Sequence, residues 1–105
     1  MAGLSAKYKE DADLIFEEIE KICNTHEFKI SNKDAVNRRL ILSIKASWFS
    51  WGETIEIIVS QQKDGSVVTI NSKPKAGFNV TAYSKADKEA QEILDEINKI
   101  FKSTN

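Results

Sequence analysis

Three successive stretches of this chain alternate apolar and polar residues with a period of two, and a helical stripe flanks them on each side. Leu40, Leu42, Ile44, Ala46 and Trp48 share one parity, against Ile41, Ser43, Lys45 and Ser47. Ile55, Ile57 and Val59 alternate with Thr54, Glu56 and Ile58, and Val68, Ile70 and Ser72 alternate with Val67, Thr69 and Asn71. Successive strand residues point to opposite faces, so each run builds one apolar face and one mostly polar face. Lys63-Asp64-Gly65 carries an Asp-Gly hairpin signal. Pro74 ends the last run, because it cannot donate to a ladder. A shorter strand, Glu27 to Ser31, precedes them with Phe28 and Ile30 on one side, and Asn32 to Asn37 reads as a turn.

The flanking stripes have helical spacing. Tyr8, Ala12, Ile15, Phe16, Ile19, Ile22 and Cys23 recur at three- and four-residue steps, ending near Asn24 to His26, where Asn can take the left-handed C-terminal position. Ala86, Ala90, Ile93, Leu94, Ile97, Ile100 and Phe101 form the second stripe, with Ser84 as the expected cap and Asp87 as a shortened capping box. Two stripes need a surface to bury them, and one apolar sheet face can receive both. The expectation is therefore an α+β two-layer sandwich in the order helix, four-stranded antiparallel meander, helix, with both helices on one face of the sheet. Residues 1–105 form one domain, and 1–6 read as a disordered tail or an appended remnant. The expected core holds Ile15, Phe16, Ile19, Leu42, Ile44, Ile57, Val59, Ile70, Leu94 and Ile97.

Composition removes several function classes. Hydrophobic residues make up 41% and charged ones 30%, at a formal net charge of −1. That balance gives no electrostatic reason to expect nucleic acid. The open sheet face (Ile41, Ser43, Lys45, Thr54, Glu56, Ile58, Val67, Thr69, Asn71, Lys73) offers no ring on which bases could stack. Ile41, Ile58 and Val67 on that face are the place to look for a weak dimer, the alternative being a monomer. The single cysteine requires no oxidising compartment, no signal peptide or membrane span is visible, and a soluble, cytoplasmic protein is expected.

No complete catalytic or metal set emerges. Cys23 and His26 lie three apart at the end of the first stripe, but Cys23 belongs to the apolar face, where a thiol is usually inert. Zinc needs three or four ligands, and one Cys-x-x-His step supplies two. The chain is expected to be no enzyme and to hold no cofactor.

The aromatic run Trp48-Phe49-Ser50-Trp51-Gly52-Glu53 holds both tryptophans. By parity Trp48 and Glu53 lean inward, Phe49 outward, and Gly52 gives the tight link its freedom. An inward carboxylate needs donors and a buried indole needs an acceptor, so Glu53 is the expected partner of an indole N–H.

The run Trp48-Phe49-Ser50-Trp51-Gly52-Glu53-x-Ile55-x-Ile57-x-Val59, then Asp64-Gly65, Val68-x-Ile70-x-Ser72-x-Pro74 and a closing amphipathic helix, resembles small bacterial domains with a Ser-Trp-Gly-Glu-x-Ile hairpin and a Ser-x-Pro strand end. The resemblance runs from about Phe28 to Phe101 and implies a fold, with no activity attached. The chain departs from those domains at the entry to the last helix, Ala82-Tyr83-Ser84-Lys85-Ala86.

The functional expectation is a non-enzymatic binding or interaction module that uses the aromatic hairpin end and the 75–83 loop. Its candidate binding residues are Trp48, Phe49, Trp51, Glu53, Lys73, Phe78 and Tyr83. The ligand would be a protein partner, a small amphiphile or a membrane surface. The alternative is a purely structural or accessory domain whose apolar residues are all core.

Overall fold

A computed structural model describes residues 3–26, 29–45, 51–73 and 85–104. The element order is β1 (Gly3–Tyr8), α1 (Ala12–Thr25), β2 (Lys29–Asp34), β3 (Arg39–Lys45), β4 (Trp51–Gln62), β5 (Gly65–Lys73) and α2 (Lys85–Ile100). The strands form one antiparallel sheet in the order β1-β5-β4-β3-β2. The chain is thus α+β, and β2 to β5 run as the expected meander. The sheet, however, has five strands.

The fifth strand comes from the segment read as a tail. In Gly3–Tyr8, Ala6 and Tyr8 are buried and Leu4 partly so, with exposed residues between them. That is a period of two, and the strand pairs with β5 from Gly3↔Asn71 to Tyr8↔Ser66. Tyr8 therefore belongs to β1 and not to the helical stripe. Its four-residue step to Ala12 matches helical spacing across an element boundary. The boundary itself is Asp11, whose carboxylate accepts from the Asp13 N–H at 3.1 Å and caps α1.

The first helix ends as expected in place but not in manner. His26 follows Thr25 with φ −88, and its N–H donates to the Ile22 and Asn24 carbonyls, so no left-handed Asn closes the helix. Among the described residues other than glycine, Arg38 alone has positive φ, at 53°. It belongs to the β2–β3 turn, which lies later than the sequence suggests. Asn32, Lys33 and Asp34 continue β2, and Asp34 then accepts from the backbone N–H of Asn37 and from its Nδ2. The ladder shifts between Ile30 and Asn32, leaving Ser31 as a bulge. The shift explains why alternation was illegible there: Ile30 and Lys33, three apart, pair with the buried residues Leu42 and Leu40.

At the β4–β5 hairpin the turn residues are Lys63 and Asp64, and Gln62 pairs with Gly65. Gly65 has φ 144°, and a Cβ there would lie 2.0 Å from the Tyr8 carbonyl oxygen. Only glycine lets β1 approach the hairpin this closely.

The core is one cluster. It joins Ala6 and Tyr8 of β1, Leu40 and Leu42 of β3, Ile55, Ile57 and Val59 of β4, and Val68 and Ile70 of β5 to the buried stripes of both helices. The opposite parity, including Ile41, Ser43, Thr54, Glu56, Ile58, Val67, Thr69 and Asn71, is half-exposed. The expected core residues Ile15, Phe16, Ile19, Leu42, Ile57, Val59, Ile70 and Ile97 are all buried. Leu94 is partly buried against the cluster, and the side chain of Ile44 lies outside the described part.

Candidate functional site

Of the buried polar residues described, Glu53, Ser72 and Asp87 lie at the end of the sheet away from the β4–β5 hairpin, while Ser66 is buried beside the hairpin with no hydrogen-bond partner for its hydroxyl. On β4 the inward series Val59, Ile57, Ile55 terminates in Glu53, which is 8% exposed. On β5 the series Val68, Ile70 terminates in Ser72, fully buried and opposite Ile55 in the ladder. The first turn of α2 brings Asp87, also 8% exposed, against the same end. The Ser72 hydroxyl donates to the Asp87 carboxylate.

Local sequence explains each placement. Glu53 and Ser72 hold the parity of their apolar neighbours, so the pleat turns them inward regardless of polarity. Asp87 lies three residues before Ala90, on the line that continues through Ile93 and Ile97, so the helix turns it onto the buried stripe. A carboxylate buried this deeply is costly unless hydrogen-bonded, and none of the three residues is without a partner. Asp87 was expected as the shortened acid of a capping box, and one of its carboxylate oxygens accepts from the sheet. The signal was available, since Ser72 and Asp87 each interrupt an apolar series with a polar residue. Ser84, its expected companion, lies outside the described residues.

The sequence-based site residues meet the structure as follows. Glu53 is at this end, paired in register with Ile44. Trp51 pairs with Lys45 and Lys73 with Thr54, so the backbone brings both to the same end. Between the Glu53 and Trp51 pairs the β3–β4 ladder shifts by one residue and leaves Gly52 as a bulge, while the expected tight link, residues 46–50, lies outside the described residues. The side chains of Trp51 and Lys73, and residues Trp48, Phe49, Phe78 and Tyr83 entirely, lie outside the described part. So does the expected bond from an indole to Glu53.

Burial and proton affinity argue against a Cys-His nucleophile. Cys23 is fully buried, and burial, reinforced by the nearby Glu20 carboxylate, pushes its thiol up to about 12. A thiol of that kind stays protonated at neutral pH and is a poor nucleophile. The His26 Nε2 faces Glu96 of α2 at 3.4 Å instead. Lys99, and after it His26, hold the Glu96 carboxyl below the usual range. Among the described residues no three His, Cys, Asp or Glu side chains are grouped to hold a metal ion, and no helix is long and apolar enough to cross a membrane.

No family model and no curated protein matches this chain. Among solved structures it is similar to the crystal structure of the Zhui aromatase/cyclase from Streptomyces sp. R1128, at 11% identity and a TM-score of 0.49, over 94% of this chain and 84% of that one.

Proposed function

We propose that this chain is a non-enzymatic binding module whose ligand enters at the Glu53–Ser72–Asp87 end, between the sheet and two helices packed on one of its faces. The same-face arrangement is supported by both helices sharing one core cluster with a single parity of strand residues. One observation carries the functional reading: two carboxylates and a hydroxyl are turned inward together at one end of a mostly apolar layer. Binding sites are mostly apolar with a few convergent polar groups, and this end has that character. The sequence-based candidates Trp48, Phe49, Trp51, Lys73, Phe78 and Tyr83 belong to the same proposal. Two acids select a donor, so the ligand class is a small amphiphile with a protonated amine head and an apolar body.

The test is titration with decylamine below its micellar concentration, read by tryptophan emission, since Trp48 and Trp51 are the chain's two tryptophans. The reading expects a saturable shift that weakens about tenfold or more in Asp87→Asn, and a smaller response to decanoate. Absence of a saturable shift with either amphiphile, with Asp87→Ala losing stability alone, would leave Ser72–Asp87 as a strap that pins α2 to the sheet and make the domain an accessory one.

A further inference from the structure

The sheet has two outer strands, and the chain treats them differently. β2 carries Lys29 and Lys33 and a bulge at Ser31. Lysines and bulges on an edge discourage another strand from adding. β1 has one charged residue, Lys7, and pairs with β5 over its full length without a register shift. The segment that follows α2 runs beside it, and the Thr104 N–H donates to the Lys7 carbonyl at 2.7 Å. This bond sets the phase of the edge. Backbone groups alternate along an antiparallel strand, so Lys7, Ser5 and Gly3 turn theirs away from β5.

We propose that β1 is a self-association edge, complementary to β1 of a second copy of this chain, and that residues 102–104 keep it covered. The complementarity is legible in the strand. Antiparallel pairing about a twofold axis at Ser5 sets Lys7 opposite the partner's Gly3, so no like charges face each other. The same register sets Leu4 opposite the partner's Ala6. Leu4 is only partly buried in the single chain, and pairing extends the apolar face across it. Such a contact is isologous and closes at two copies.

The cover is built to leave. Among the described residues Phe101 is the last buried one, and of those after it Lys102 and Thr104 are exposed and Ser103 is half-buried. Thr104 and Lys7 meet across an open groove of about 320 Å³, shared with Tyr8, Lys63, Asp64 and Ser66. Displacing the segment therefore breaks edge hydrogen bonding without unpacking α2.

Sedimentation equilibrium over a concentration series tests this on the full chain. Thr104→Pro removes the N–H that covers Lys7, and the expected dimer dissociation constant is about tenfold lower than that of the unaltered chain. A chain ending at Lys102 should behave alike. Adding Ser5→Pro to either should restore the monomer, because the Ser5 N–H faces the edge and its loss spares the ladder to β5. A dimer in either altered chain that Ser5→Pro abolishes supports the proposal. Three results overturn it: both altered chains stay monomeric, the dimer survives Ser5→Pro, or the unaltered chain dimerises as strongly as Thr104→Pro.

Discussion

At the β4–β5 hairpin the Tyr8 hydroxyl donates to Asn98 Oδ1 at 2.6 Å and its ring meets Phe101 edge-on at 6.3 Å; at the opposite end Glu53, Ser72 and Asp87 turn into the buried face. The hairpin end is closed mostly by neutral groups, although the Ser66 hydroxyl there and one carboxylate oxygen of Glu10, between β1 and α1, are buried without a hydrogen-bond partner. Gln61 accepts from the Ala12 N–H at 3.0 Å and donates to the Gly65 carbonyl at 2.7 Å, tying the start of α1 to the turn. Neutral hydrogen bonds and an aromatic contact lock chain segments together at modest desolvation cost. Buried carboxylates cost more and make sense where something must be held. On the proposed reading, stability belongs to one end and recognition to the other.

The comparison breaks most visibly at Tyr8. Tyr8→Ala removes a ring that is 2% exposed, and the expected loss is about 3–5 kcal/mol by chemical denaturation, with amine binding unchanged once the chain is folded. At the other end Asp87→Ala removes the carboxylate that accepts from the Ser72 hydroxyl. The expected loss there is smaller, about 1–3 kcal/mol, but binding should fall with it. Equal losses at the two ends, with binding intact in both, would erase the distinction.

Smaller effects sharpen it. Asp11→Ala takes the cap from α1 at the hairpin end and should cost about 1 kcal/mol with no effect on binding. High pH acts on the closed end and the core. Burial pushes the Tyr8 phenol from 10.0 up to about 12, and the Cys23 thiol rises from 9.0 to about 12. Below pH 9 both groups are protonated in folded and unfolded chains, and their contribution is complete. As pH rises toward 12 the unfolded chain ionises first, so stability falls through that window. Cys23→Ala should remove the part of the fall that begins near pH 9, leaving the later part due to Tyr8.

Much of the fold was legible because the apolar parity of β3, β4 and β5 is unbroken, so the meander, its buried face and the α2 stripe could be read directly. What escaped reading has identifiable causes. β1 hid because Tyr8 stands four residues before Ala12, and a strand's last inward residue then mimics a helical step. β2 looked shorter than it is because the bulge at Ser31 breaks the period of two. At the candidate site Glu53 was found through its parity. Ser72 carried the same signal, and Ser84-Lys85-Ala86-Asp87 has capping-box spacing. Spacing along the chain does not say that such a carboxylate also reaches across to a sheet.

The central claim is that the Glu53–Ser72–Asp87 end is where a ligand is held. Amide chemical shifts followed by NMR during a decylamine titration test it most directly, because they report position and saturation together. The account predicts saturable shifts concentrated at Glu53, Ser72, Lys73 and Asp87, with Tyr8, Gly65 and Phe101 nearly still. Shifts centred on the hairpin end, or spread evenly without saturation, would contradict it.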